Sequence, residues 1–238
     1  MDAVKPTRGQ RWHRVLLAYT TVVAMAAAGC GSAPGTDGAG GTATGLPSST
    51  PEPPAVPLPA RCVAWGCRPR QLIDLVPAWS LRLWLSADQR NFRSRPVVEL
   101  RHGRVAIQWW ISPQGDGWNG SLSCLTSGPE PNCALLDSLG MHAAVAEMLI
   151  LRGGRLVHPI HAEAITNSVG MRAADLNDDG YLDVIGITND YRPNFAQGHN
   201  YWETFRYHDG RLGVTGCARQ SESAPPPTGL LTGTCPTI

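Results

Sequence analysis

The chain has 238 residues, with 20 Lys and Arg, 19 Asp and Glu, and a formal net charge of +1. Its first 29 residues hold four of the basic side chains and one of the acidic ones, so the remainder carries 16 arginines against 18 acids. A balance this close to neutral excludes a general nucleic-acid binder, which would present a strongly basic surface.

Residues 1–29 are typical of an export signal. Four basic residues come first: Lys5, Arg8, Arg11 and Arg14. An uncharged, mostly apolar run of 14 residues follows at 15–28, and it is too short to span a membrane. The run ends in small residues before Cys30, which resembles the lipobox of bacterial lipoproteins. The resemblance implies a signal peptide removed at Cys30, acylation of that cysteine (palmitate is one such acyl chain), and a lipid anchor on the extracytoplasmic face of the cell membrane. The alternative is an ordinary secretory signal cleaved nearby.

Residues 30–60 consist almost entirely of Gly, Ser, Thr, Ala and Pro. They lack apolar periodicity and therefore cannot bury a core. We expect a tether between the lipid and a folded domain at 61–218, followed by a loose C-terminal tail at 219–238 that Cys235 ties down.

The folded domain is predicted to be all-β, built from antiparallel hairpins. Residues 79–85 alternate between apolar and other positions, which is typical of a strand. Three predicted hairpins share a turn ending in Gly-Arg, at 101–104, 152–155 and 208–211; Asp-Gly and Gly-Gly suit such turns. The three turns are either a degenerate internal repeat or the common chemistry of unrelated hairpins. The best helix candidate is 135–148, although Gly140 interrupts it and its second half also suits a strand.

Six cysteines remain after Cys30, and an even number in an exported chain indicates a disulfide framework. Proximity in the sequence favours Cys62–Cys67, Cys124–Cys133 and Cys217–Cys235. A rival pairing would join Cys62 or Cys67 to Cys217 or Cys235 and so connect the ends of the domain. The absence of a Cys-x-x-Cys pair argues against zinc.

Residues 175–183 place oxygen-bearing side chains at positions 1, 3, 5 and 9 and a glycine at position 6, which is the spacing of a calcium loop. Position 12 is Gly186, which cannot supply the acidic ligand of an EF-hand. The residues after the loop are largely β-branched. We therefore expect the loop to connect two strands.

A strand, the pattern Asp-x-Asn-x-Asp-Gly-x-x-Asp and a second strand resemble the calcium loop of FG-GAP/VCBS repeats, the modules of integrin-type β-propellers. The resemblance covers about residues 169–216. It implies propeller-blade-like sheets and a Ca²⁺ ion bound by the side chains of Asp175, Asn177, Asp179 and Asp183 and by the carbonyl of Tyr181. The domain is long enough for about three or four blades, so a full seven-bladed propeller is not expected. The alternative is a polar hairpin turn without metal.

Catalytic motifs are absent from the sequence: it has no nucleophile elbow, P-loop or dinucleotide fingerprint. His158 and His161, with Glu163 nearby, are a weak zinc candidate, because Pro159 argues against the helix that such a motif needs. We name no catalytic residue and favour a role other than catalysis.

Two surface hypotheses remain. The first is a sugar-binding patch of three tryptophans and two polar neighbours: Trp109, Trp110, Trp118, Asp116 and Asn119. The alternative is that Trp110 packs into the core and its neighbours lie along a loop. The second is a basic surface that would bind anionic wall polymer or phospholipid headgroups. It consists of five arginines: Arg90, Arg93, Arg95, Arg101 and Arg104. The alternative is that these arginines form an ordinary solvated face. The hypothesis is a lipid-anchored, calcium-binding module at the cell envelope, with a polysaccharide or protein partner. The alternative is a cell-envelope hydrolase with an unrecognised active site.

Overall fold

The computed structural model describes residues 55–87, 95–114, 119–168, 170–221 and 224–237. These residues form one short helix and thirteen strands: α1 (Ala60–Ala64), β1 (Cys67–Val76), β2 (Trp79–Ser86), β3 (Val97–His102), β4 (Val105–Ile111), β5 (Ser121–Leu125), β6 (Asn132–Ser138), β7 (Ala144–Arg152), β8 (Arg155–Val157), β9 (Glu163–Thr166), β10 (Arg172–Ala174), β11 (Asp183–Asn189), β12 (Asn200–His208) and β13 (Arg211–Arg219). The predicted all-β class is confirmed.

The strands form three antiparallel sheets in chain order. The N-terminal sheet has the order β1-β2-β3-β4, and the C-terminal sheet has the order β10-β11-β12-β13. The middle sheet has the order β5-β6-β7-β8, and β9 also pairs with β7. Each sheet is therefore a meander of consecutive hairpins, in agreement with the predicted blade-like sheets.

The middle sheet is buried on both faces. On β7, Leu149 and Leu151 pack in a cluster with side chains of the N-terminal sheet. Met148 and Ile150, which alternate with them, pack in a cluster with Leu182, which precedes β11, and with Tyr207 on β12. Because successive side chains of a strand point to opposite faces, β7 joins the two apolar clusters and the middle sheet lies between the other two.

The helix candidate at 135–148 is wrong. Its residues form the end of β6, a turn in which Gly140 has a φ of +73°, and the first half of β7. Burial on both faces explains the error. A strand covered on both sides is apolar throughout and loses the alternation that separates a strand from a helix.

The three predicted Gly-Arg hairpins are confirmed, and they occupy equivalent places. They connect β3 to β4, β7 to β8, and β12 to β13, which are the third and fourth strands of the three meanders. Gly103, Gly153 and Gly210 at these turns have positive φ, which glycine adopts without steric cost. This equivalence favours the internal repeat over three unrelated hairpins.

The disulfides follow the pairing that sequence proximity favours: Cys62–Cys67, Cys124–Cys133 and Cys217–Cys235. The rival pairing between the domain ends is therefore excluded. The third disulfide holds the C-terminal tail against β13, where the Cys217 N–H also donates to the Gly233 carbonyl at 2.8 Å. The Leu231 N–H donates to Thr204 Oγ1 at 2.9 Å, so the tail contacts the C-terminal sheet at residues 231, 233 and 235.

Two glutamines join the N-terminal sheet to the middle sheet at both edges. Gln71 on β1 donates to the Leu122 carbonyl and accepts from the Leu122 N–H, both at 2.8 Å. Gln108 on β4 forms the same pair of bonds with Leu156, at 2.8 and 2.9 Å. Each carboxamide thus satisfies an edge-strand peptide that would otherwise lack a partner.

Glu147 is a buried carboxyl group between the N-terminal and middle sheets. Its side chain is fully buried, Ser112 Oγ donates to its Oε2, and its Oε1 has no hydrogen-bond partner among the described residues. The pKa of Glu147 is raised to about 7, mainly by burial. The Ser112 bond and the charge of Arg95 oppose this rise, and the charges of Glu163 and Asp137 add to it.

This pKa predicts a loss of stability as pH rises. Between an unfolded pKa of 4.5 and a folded pKa of about 7, the folded chain keeps a proton that the unfolded chain releases. The free energy of unfolding should therefore fall by about 2.5 kcal/mol between pH 5 and pH 8 from this group alone. Urea unfolding of Glu147→Gln at both pH values should lack that component. Parallel pH profiles for the variant and the unaltered chain would contradict the assignment.

Candidate metal centre

The predicted calcium loop connects two strands of the C-terminal sheet. Asp175 follows the last residue of β10, Asp183 is the first residue of β11, and Ala174 pairs with Asp183 across the hairpin. All five predicted ligand residues therefore lie in one hairpin. Strands on both sides of the loop agree with the sequence reasoning that set aside an EF-hand.

The side chains of the first three ligands fold inward onto the loop backbone. The Asp175 carboxylate accepts from the Asp179 N–H at 3.2 Å and from the Gly180 N–H at 2.9 Å. Asn177 Oδ1 accepts from the same Asp179 N–H at 3.2 Å, and Asp179 Oδ1 accepts from the Tyr181 N–H at 3.0 Å. These bonds direct the oxygens toward the centre of the turn.

Asp183 anchors the loop to the neighbouring strand. It is fully buried, its Oδ1 accepts from the Tyr207 N–H on β12 at 3.0 Å, and its Oδ2 accepts from the Leu176 N–H at 3.1 Å. Burial raises the pKa of Asp183, and the charges of Asp179 and Asp175 add to the rise, while the two backbone bonds lower it. A positive charge beside this carboxylate would relieve both unfavourable contributions.

Asp179 lies at the open side of the loop. Its Oδ2 accepts from Asn177 Nδ2 at 2.9 Å and from Arg206 Nη2 at 3.3 Å. Burial acts to raise the pKa of Asp179, but the bonds from Asn177, Tyr181 and Arg206 outweigh it and hold the pKa below its usual value. Asp178, at position 4, is exposed, as expected for a residue that points away from the ligands.

The loop is also joined to the middle sheet, through Asn132. This side chain is fully buried at the start of β6. Its Nδ2 donates to the Gly180 carbonyl at 3.0 Å, and its Oδ1 accepts from the Leu182 N–H at 2.8 Å. One carboxamide therefore fixes the backbone on both sides of Tyr181, whose carbonyl is a predicted ligand.

Glycine is required where the loop contacts the middle sheet. Gly180 has a φ of +83°, and a Cβ there would lie 2.6 Å from Pro129 Cδ. A Cβ on Gly128 would lie 1.9 Å from the Gly180 carbonyl oxygen. The turn between β5 and β6 thus packs directly on the turn between β10 and β11, the equivalent turn of the next sheet.

The donor set fits a hard cation. Three carboxylates, one amide and one backbone carbonyl supply oxygen only, which is the chemistry that Ca²⁺ prefers. In the described part of the chain, one group of three Asp, Glu, His or Cys side chains has its ligand atoms within 4.8 Å of one another: Glu203, Cys217 and Cys235. Both of its cysteines are in a disulfide. The three loop carboxylates are spread more widely, so a cation would have to draw them together.

The zinc candidate is not assembled among the described residues. His158, His161 and Glu163 form no such ligand cluster. His158 packs on Trp110 with ring centroids 5.3 Å apart, and burial lowers its pKa. His161 is an exposed turn residue with a φ of +68°.

The two described tryptophans of the predicted patch, Trp109 and Trp110, are neighbours on β4 and therefore point to opposite faces of the N-terminal sheet. Trp110 packs against the apolar core, as the alternative to a sugar-binding patch predicted. Trp109 Nε1 donates to the Val56 carbonyl at 3.0 Å. Arg101 pairs with buried Glu99 at 2.5 Å, and Arg95 donates to the Ser112 carbonyl at 3.4 Å. The remaining members of the two groups, apart from Asn119 and Arg104, lie outside the described residues: Asp116, Trp118, Arg90 and Arg93.

Sequence reasoning missed the two side chains that hold the loop from outside, Asn132 and Arg206. Asn132 is 50 residues from Leu182 and Arg206 is 27 residues from Asp179, and neither stands in a recognisable motif.

No protein-family model, curated protein or solved structure matches this chain. In the described ranges, no helix has the length and apolar character needed to cross a membrane. Cys30 and the rest of residues 1–54 lie outside the described residues.

Removal of the Asn132 carboxamide should destabilise the domain. Asn132→Ala leaves the Gly180 carbonyl and the Leu182 N–H buried without partners, at a cost of about 2–3 kcal/mol in the free energy of unfolding. Asn194→Ala is the control, because Asn194 is exposed and bonds only within its own turn; it should cost about 0.5 kcal/mol. Equal costs for the two variants in urea unfolding would show that Asn132 does not hold the loop.

Proposed function

We propose that this chain is an exported calcium-binding protein, anchored by a lipid on Cys30, that serves as a binding or interaction module at the cell envelope. The observation that carries the calcium proposal is the inward-facing oxygen set of the hairpin at 175–183. The spacing of this loop and the strands on both sides also support its likeness to FG-GAP/VCBS repeats.

The proposed role of the ion is structural. Bringing two carboxylates to about 4 Å from each other costs about 4 kcal/mol at an effective dielectric constant of about 20, and a bound cation would offset that cost as it draws the three together. Extracellular modules bind calcium with a Kd of about 10⁻⁴–10⁻³ M. At a tenfold excess of calcium over Kd, the stabilisation is about 1.4 kcal/mol. Because Asp183 and Asn132 connect the loop to β12 and to the middle sheet, the ion would stabilise the junction of two sheets.

The envelope part of the proposal is supported by the sequence of the first 60 residues and by the cysteines. Three disulfides within the described domain suit an oxidising compartment outside the cytoplasm. Calcium is abundant on that side of the membrane, where a weak site would be filled.

Among the described residues, no accessible group favours the hydrolase alternative. Ser112 Oγ donates to Glu147, and a hydroxyl beside a carboxylate is the arrangement of a nucleophile with its general base. Both side chains are fully buried, so a substrate in solution would not reach them. A binding role is therefore the function that the described geometry supports best.

Calcium should raise the melting temperature of the chain through the carboxylates of the loop. Asp179→Asn removes one of three ligand charges and should weaken calcium binding at least tenfold, reducing the stabilisation from about 1.4 to about 0.4 kcal/mol at the same calcium concentration. Asp178→Asn makes the same charge change one residue away, at an exposed position, and should respond to calcium as the unaltered chain does.

The measurement is thermal unfolding of the three proteins in a chelator and in a calcium series, with binding heat recorded in parallel. An unaltered chain whose melting temperature and binding heat do not respond to calcium would contradict the proposal. So would equal responses of the Asp179→Asn and Asp178→Asn variants.

Lipid anchoring predicts that Cys30→Ser releases the protein from the membrane fraction. Without its thiol, residue 30 cannot be acylated, and the tether at 31–60 offers no apolar segment in its place. Fractionation of cells that express each form, with detection of the domain by antibody, measures the release. Retention of the Cys30→Ser variant in the membrane fraction would contradict the lipoprotein assignment.

A further inference from the structure

A cavity of about 590 Å³ lies beside the calcium loop, between that loop and the edge of the middle sheet. Its lining includes two arginines, two tyrosines, one ligand of the loop and a proline: Arg152, Arg206, Tyr181, Tyr207, Asp179 and Pro159. The cavity is thus a mixed polar and aromatic space that shares Asp179 with the proposed metal site.

Arg206 is the group in this cavity that is free to take a ligand. Its side chain is 42% exposed, and its ion pair with Asp179 is single and long, with 3.3 Å between Nη2 and Oδ2. Its Nε is buried without a hydrogen-bond partner among the described residues. Arg152, in contrast, is occupied by two bonds of 2.6 Å to Glu130. Arg152 therefore contributes only its positive charge to the cavity, whereas the exposed part of the Arg206 guanidinium can donate hydrogen bonds to a ligand.

The tyrosines provide an apolar wall beside these donors. Tyr181 and Tyr207 are in ring contact, with centroids 5.3 Å apart. Tyr207 is buried, while Tyr181 is partly exposed. An aromatic surface next to a guanidinium suits a ligand that has both an apolar face and a carboxylate, and a sugar acid is one small molecule of that kind.

Calcium in the loop would change the charge of this cavity. Asp179 Oδ2 is the acceptor of Arg206 and also a predicted calcium ligand. An ion bound there adds two positive charges, takes over the carboxylate and repels the guanidinium. Arg206 then loses Asp179 as its counterion, and the cavity, whose lining also includes the exposed carboxylate of Asp209, becomes less negative.

We propose that this cavity binds a small organic anion, of the acidic-sugar class, through Arg206, and that calcium in the adjacent loop strengthens this binding. The proposal rests on the calcium site proposed above. The coupling is reciprocal, because a ligand whose affinity rises with calcium must raise the affinity for calcium by the same factor. We expect a factor of about ten, within the usual range of such couplings.

The test is isothermal titration of the purified full chain with D-glucuronate and, as a neutral probe, D-glucose. Both are added with and without calcium, at one ionic strength set with potassium chloride; the calcium-free protein is prepared by buffer exchange, so that no carboxylate chelator remains. Glucuronate should bind at least tenfold more tightly with calcium than without it, and glucose should not bind. The calcium affinity, measured with and without glucuronate, should shift by the same factor.

The variants are Arg206→Gln, Arg206→Lys and, as the matched control, Arg211→Gln. Arg211 is an exposed residue on the same hairpin and does not line the cavity. Arg206→Gln should lose glucuronate binding at least tenfold while it still binds calcium, Arg206→Lys should retain part of the binding, and Arg211→Gln should bind as the unaltered chain does.

Two results would overturn the inference, and they are distinguishable. In the first, the chain binds calcium, but calcium does not raise its affinity for glucuronate. This result would contradict the proposed cavity site and would be consistent with the calcium site. A chain that binds no calcium would overturn both proposals. If Arg206→Gln does not fold, the reciprocal titrations of the unaltered chain decide the matter without it.

Discussion

Repulsion among the carboxylates of Asp175, Asp179 and Asp183 acts at the junction of the C-terminal and middle sheets, where it adds to the rise that burial causes in the pKa of Asp183. Hydrogen bonds to the carboxylates offset this repulsion. Two backbone N–H groups donate to Asp183, and the guanidinium of Arg206 donates to Asp179. Asn132 holds the same hairpin to the middle sheet through two hydrogen bonds. Carboxylates that are costly to place together thus sit where two sheets meet, so any cation that reduces their repulsion also stabilises that junction.

The layers of the domain share one principle of attachment. Apolar side chains supply the packing on both faces of the middle sheet, but packing alone does not set how the sheets align. Paired hydrogen bonds from single carboxamides do so at three places: Gln71 with Leu122, Gln108 with Leu156, and Asn132 with the loop. Each bridge contributes about 1–3 kcal/mol and accepts only one alignment of the two backbones.

Local features of the sequence predicted much of this architecture. Gly-Arg turns marked three hairpins, cysteine proximity marked three disulfides, and contiguous ligand spacing marked the loop, because each signal lies within a few residues. The bridges escaped prediction, since Gln71 and Leu122 are 51 residues apart and a carboxamide carries no sign of its distant partner. The strand at Ala144–Arg152 was ambiguous for another reason: burial on both faces removed its alternation.

The proposed metal site is tested most directly by a crystal structure of the protein grown in calcium. The account predicts one ion bound by side-chain oxygens of Asp175, Asn177, Asp179 and Asp183 and by the Tyr181 carbonyl, at distances of about 2.3–2.6 Å, with Arg206 turned away from Asp179. The crystals would be grown at a calcium concentration far above 10⁻³ M, about the weakest Kd of extracellular modules. A loop without an ion, in which Asp179 still pairs with Arg206, would contradict the account.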